Sequence, residues 1–155
     1  MKFNKEIEDF LKHRSLANVA TSDKTGKPNL SLKGIIDFDC ENGILFFFDL
    51  YCKQTRKNLQ ENPQIAVTLV DYENFAGFQF KGKAEIIDSG QELEKYVFNW
   101  HLIKHNQFKE RLSWHFSKIL KNKPSEFDLP KPKYLVKIKV EEILDLAQYI
   151  KHANE

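Results

Sequence analysis

The sequence is short of cysteine, of long apolar runs and of net charge, and each shortage removes a class of function. The two cysteines, Cys40 and Cys52, do not form a CxxC pair, and no metal-ligand spacing surrounds them. That excludes a disulfide framework and leaves free thiols of a reducing compartment as the expectation. No apolar run is long enough to span a bilayer, and Met1-Lys2-Phe3-Asn4-Lys5-Glu6 carries no apolar signal region. A soluble, cytoplasmic protein without a membrane partner is expected. Lys and Arg number 24 against 22 Asp and Glu, a net charge of +2. So small a surplus argues against a general nucleic-acid binder. A His-Glu-x-x-His motif is also absent. His101 and His105 share a helix face and His115 follows. A zinc site needs further ligands and supporting carboxylates, and acids are scarce there, so no metal is expected.

What is present suits one domain, residues 1–155, with a real hydrophobic core. Phenylalanine is common, at thirteen residues, and most of these sit in strand-like runs. Asn4 to Lys12 reads as a short helix capped by Asn4, with Ile7, Phe10 and Leu11 as its buried stripe. Leu16 to Thr21 is a first strand. Ser22 to Lys27 is a turn in which Gly26 takes a positive φ. Pro28 to Lys33 alternates, which places Asn29, Ser31 and Lys33 on one face. Gly34 suggests a bulge before the strand continues over Ile35 to Asp39. Asn42-Gly43 is a hairpin signal, and Ile44 to Phe48 returns as the paired strand. Gln64 to Val70 and Gly77 to Ile87 are further strands, the latter interrupted at Gly82. Short strands separated by turn signals point to a barrel.

Helix follows from Gln91 to about Lys104, with Leu93, Tyr96, Val97 and Trp100 on one stripe. Phe108, Leu112, Phe116, Ile119 and Leu120 continue a helical period. Trp100 and Trp114 read as core or interface anchors. The region 101–123 is basic, with Lys104, Lys109, Arg111, Lys118, Lys121 and Lys123 against Glu110. A solvated helix face is its default reading. Tyr134 to Val140 is a last strand, and Ile143 to Leu146 either extends it or starts a turn of helix. No internal repeat or low-complexity tract divides the chain.

The chemistry concentrates between the strand Ile44–Phe48 and Asn62-Pro63. Lys53, Arg56 and Lys57 bring three cations to the start of a short helix, and Thr55 brings a hydroxyl. A helix start offers free backbone N–H groups and the positive end of its dipole, a good place for a phosphate. Taken alone, the stretch reads first as a solvated basic helix start.

Its neighbours change that reading. The segments Val19 to Ser31, Lys33-Gly34, Gly43 to Phe47, Lys53 to Pro63, Gly77-Phe78-Gln79 and Lys81 to Glu85 follow one another in a familiar order. Together they resemble the flavin-binding split β-barrels related to pyridoxamine 5'-phosphate oxidase, in the branch of small flavin-nucleotide-binding proteins. The resemblance covers a little over half the chain. It implies an α+β, mainly β fold. This would be a Greek-key split barrel of about six antiparallel strands, with an N-terminal helix and a helical insertion before the last strand.

It also implies a homodimer with flavin mononucleotide, FMN, at the subunit interface. The phosphate role falls on Lys53, Thr55, Arg56 and Lys57, with Gln54 among them. Asn29, Ser31 and Lys33 would face the flavin and its ribityl chain. Phe48 and Asp49 end the neighbouring strand, and Gln79 would reach in from the other subunit. Asn58 caps or braces the helix. Two departures stand out: Gln54 separates Lys53 from Thr55, and Leu32 stands where a proline is common. The basic, aromatic C-terminal signature that holds pyridoxamine phosphate is missing, so vitamin B6 oxidase activity is not carried over. The resulting expectation is an FMN-dependent oxidoreductase of unknown substrate, in which no residue stands out as a general acid or base. The alternatives are a flavin carrier without catalysis, or a barrel that holds another ligand: deazaflavin, haem or nucleic acid.

Overall fold

The computed structural model describes residues 1–51, 53–100, 102–103 and 130–147. The elements run α1 (Lys5–His13), β1 (Leu16–Ser22), β2 (Pro28–Asp39), β3 (Ile44–Phe48), α2 (Gln54–Glu61), β4 (Gln64–Asp71), β5 (Ala76–Ile87), α3 (Gln91–Phe98) and β6 (Leu135–Asp145). The six strands close into an antiparallel barrel in the order β1-β2-β3-β6-β5-β4. The spatial run β4-β1-β2-β3 is a Greek key. Each consecutive pair of strands is adjacent except β3 and β4. Their connection is α2, so α2 joins two three-stranded meanders, and it packs against β1, β2 and β5.

The strands form where apolar residues alternate or run together. Along β4, Ile65, Val67 and Leu69 point into the barrel. There they meet Val19, Leu45, Phe47, Phe78, Phe80, Val136 and Ile138. The barrel has no room to spare at Gly82, where a Cβ would come within 2.0 Å of the Lys139 carbonyl oxygen. The ladder shifts register there as expected, and the extra residue is Glu141 on β6. The irregularity in β2 falls two residues later than expected. Gly34 pairs regularly with Leu16, and Ile36 is the residue that bulges within the β3 ladder, between the pairs Ile35–Phe47 and Asp37–Phe46.

One mouth of the barrel is covered by α1. Asn4 accepts a hydrogen bond from the Ile7 amide at 2.9 Å, and Ile7 and Leu11 are buried. A second cluster lies outside the barrel, where α3 lays Leu93 and Tyr96 over Phe46 and Leu135. The helical run is interrupted and not simply cut short: α3 ends at Phe98, Asn99 is a turn whose carbonyl accepts the amides of Leu102 and Ile103, and helix resumes at Trp100 and at residues 102–103. Trp100 stays in this cluster, edge-on to Phe48 at 5.4 Å. The last strand runs on through Ile143 to Asp145, which settles that ambiguity in favour of strand. His101, Cys52 and the stretch 104–129, which holds the second helical stripe, the remaining basic residues and Trp114, lie outside the described residues. Among the described residues no helix is long and apolar enough to cross a membrane.

One sheet face is unusual. On β2 the leucines point outward, with Leu30 68% and Leu32 57% exposed. Asn29, Ser31 and Lys33 are half-buried on the other side. The outward row Leu32–Asn18–Thr68–Gln79–Leu144 crosses β2, β1, β4, β5 and β6. Leu16, Leu144 and Leu146 are exposed as well.

Candidate functional site

The mouth opposite α1 is closed by α2, and the polar face of β2 runs beneath it. Ser31 and Thr55 share a hydrogen bond at 3.0 Å, which ties β2 to the first turn of the helix. Asn58, fully buried, donates to the Thr21 hydroxyl at 3.1 Å and accepts from Gln54 at 2.7 Å. Asn62 donates to Ser22 at 3.0 Å. These bonds fix α2 on β1, and they occupy the amide of Gln54. The separation of Lys53 from Thr55 is therefore filled by a residue that braces the helix along its own axis.

The start of α2 is left open. Lys53 is the N-cap residue, and no side chain caps the first turn. That turn holds no acid, and among the described residues Lys53, Arg56 and Lys57 make no ion pair. Lys53 and Lys57 are exposed. Arg56 is half-buried, its guanidinium 4.8 Å from the centre of the Tyr134 ring. Its Nε is buried without a hydrogen-bond partner among the described residues. Buried donors of this kind are rare because they forfeit water without replacement. Uncapped amides, three unmatched cations and an orphaned guanidinium donor together suit a phosphate.

Lys33 is a different case. Its ammonium donates to Asp49 Oδ1 at 2.6 Å, and Tyr134 donates to Asp49 Oδ2 at 2.7 Å. Asp49 is 1% exposed and the Lys33 side chain 11%. A carboxylate so buried is tolerated because strong donors reach both its oxygens. The chain Lys33–Asp49–Tyr134–Arg56 thus runs from β2 to α2.

Of the residues expected at the site, Ser31, Lys33, Asp49, Thr55 and Arg56 come together directly. Asn29 lies on the same side of β2, opposite Thr21. Phe48 points away, buried against Trp100 and Leu135. Gln79 lies on the outward face and donates to Thr68 at 3.3 Å, away from the α2 mouth of its own chain. Tyr134 was not singled out as a site residue. Eighty-five positions separate it from Asp49, and no local pattern marks it. Among the described residues no group of His, Cys, Asp and Glu could hold a metal ion.

A family model described as pyridoxamine 5'-phosphate oxidase matches residues 3–146. The chain belongs to the pyridoxamine 5'-phosphate oxidase family. It is 35% identical over 77 residues to the uncharacterized protein MJ0282 of Methanocaldococcus jannaschii, a match covering 49% of this chain and 51% of that protein. The match thus spans about half the length of the curated relative. Among solved members of the fold, HupZ of Group A Streptococcus superposes with a TM-score of 0.64 at 25% identity, over 94% of each chain. HutZ of Vibrio cholerae, described as a haem storage protein, superposes with a TM-score of 0.56 at 18% identity, over 93% of this chain and 94% of its own. At that identity the likeness concerns the fold alone.

Proposed function

We propose that the protein binds FMN, with the phosphate at the start of α2 and the flavin along the polar face of β2, and uses it as an oxidoreductase. The observation that carries this reading is the open start of α2. Lys53, Arg56 and Lys57 stand there with no acid in the first turn and no side-chain cap, and the buried Arg56 Nε has no hydrogen-bond partner among the described residues. Thr55 and Ser31 lie next to them for the phosphate and ribityl hydroxyls, and Asn29 and Lys33 continue along β2. Bound flavin supplies hydride and electron transfer. The chain's own part is to hold it, orient it and shield one side. No described residue is assigned as a general acid or base.

The same reading makes the protein a homodimer. The exposed leucines of β1, β2 and β6 form an apolar sheet face of the kind that marks association. Gln79 lies within that face, where it can serve the partner's site. A Leu32→Glu variant is expected to sediment as a monomer and to lose FMN affinity. A wild-type chain that is monomeric at micromolar concentration would sink the dimer.

Absorbance of the freshly purified protein, followed by FMN titration, tests the cofactor. Flavin bands, or stoichiometric binding lost in Lys53→Ala/Arg56→Ala, support the reading. A Soret band with no FMN binding would replace it with a haem role like that described for HutZ.

A further inference from the structure

The two cationic parts of the site differ in how their charge is balanced, and the difference bears on the second reactant. The start of α2 has positive charge to offer, because the first turn contains no acid. Lys33 has none, because Asp49 holds its ammonium at 2.6 Å in near-complete burial. Ser31, two residues before Lys33 on the same strand face, is bonded to Thr55. The two parts are therefore contiguous, and a ligand anchored at α2 extends toward Lys33.

We propose that Asp49 determines specificity at this site: by neutralising Lys33 it restricts the position beside the cofactor to an uncharged group, and excludes a phosphate or carboxylate there. The inference rests on the FMN reading above and extends it to the second reactant. An anion arriving at Lys33 has to share one ammonium with Asp49. It can win only by driving the carboxylate off, and Asp49 has no route to water, since Tyr134 holds its other oxygen at 2.7 Å and the residue is sealed in. Two carboxylate-like charges around one buried cation repel each other strongly at low dielectric. An uncharged group meets no such penalty. The site thus accepts one anion, at α2, and refuses a second.

The test uses the full-length, FMN-loaded protein and two probes that differ by one phosphate, phenol and phenyl phosphate. Their binding is read from the change in flavin absorbance and fluorescence. The wild type is expected to bind phenol at least tenfold more tightly than phenyl phosphate. Asp49→Asn frees Lys33 and shifts that ratio at least tenfold toward phenyl phosphate. Lys33→Met/Asp49→Asn removes both charges together and keeps the wild-type preference. Equal or tighter binding of phenyl phosphate by the wild type overturns the inference. So does an unchanged ratio in Asp49→Asn, or no response to either probe. Should Asp49→Asn fail to fold, the wild-type ratio and the double variant decide. Failure of the wild type to take up FMN is seen before any probe is added. It counts against the cofactor reading and removes this inference with it.

Discussion

Two short helices close the two ends of the barrel, and they treat charge in opposite ways. In α1, Asn4 caps the first turn, Glu6 and Glu8 lie near the start, and Lys12 and His13 lie at the end. Lys5 and Lys12 pair with Glu8 and Asp9. Apart from Lys5 at the first position, these placements suit the helix dipole, each worth about 0.3–1 kcal/mol at most surface sites. In α2 the order is reversed: cations stand at the start, no acid or cap relieves them, and Glu61 ends the helix. Such an arrangement costs stability until an anion arrives. On the reading proposed above, the one helix holds the fold and the other waits for a ligand. The contrast also explains why α2 is braced through Asn58 and Thr21, since its own sequence does little to keep it helical.

The contrast can be broken by experiment, and the largest effect lies under α2. Lys33→Ala leaves the Asp49 carboxylate buried without its ion-pair partner, and removing one member of such a pair costs about 3–5 kcal/mol. Chemical denaturation of the FMN-free protein reads this directly. A loss below 1 kcal/mol, about the worth of an exposed pair, would mean that water reaches Asp49 and that the pair is not buried. Next is Lys53→Ala/Arg56→Ala. Two charge-assisted hydrogen bonds are worth about 1.5–3 kcal/mol each, so FMN affinity should fall about 100-fold or more. The melting temperature without ligand should hold or rise. If that variant unfolds instead, α2 is a structural helix and the contrast with α1 disappears.

On the α1 side the expectation inverts. Asn4→Ala removes the cap, which costs about 1 kcal/mol of stability, and FMN affinity is unchanged. A smaller effect is expected from pH. Asp71, at the end of β4, is held below the ordinary carboxylate range by Asn74, which donates to it at 2.8 Å, and by Arg14 at 2.5 Å. Its folded value is depressed, so its contribution is complete above the unfolded value of about 3.9. It is lost as pH falls through the folded value. Asp71→Asn should flatten the acid side of the stability profile, and a profile that keeps its acid limb would assign that limb to other carboxylates.

Much of this architecture could be read in advance, and the reasons are local. Ile44–Phe48 announces itself as a strand because five apolar residues stand together after Asn-Gly. Asn4, Gly26 and Gly82 were legible because a cap, a positive φ and a close backbone approach each require a particular residue. The alternation of β2 revealed two faces. It could not say that Ser31 and Lys33 turn inward while Leu30 and Leu32 face out, because that depends on what covers each face. Gly34 was an obvious candidate for a bulge, yet Ile36 takes it, one residue after the pairing with β3 has begun at Ile35. The cations of α2 were visible as a cluster. The neutralisation of Lys33 was not, since it depends on Asp49 and Tyr134, which only the closed barrel brings together.

That long reach has a consequence for synthesis. Tyr134 immediately precedes β6, and β6 is the strand that fills the gap between β3 and β5. A growing chain emerges with α2 and its cations complete long before Tyr134 leaves the ribosome. Until then Asp49 lacks the Tyr134 hydroxyl and Arg56 lacks the ring on which it rests. The mouth at α2 is therefore finished only when the closing strand is made, and on the FMN reading proposed above the cofactor would be captured by a completed barrel and not by a nascent one.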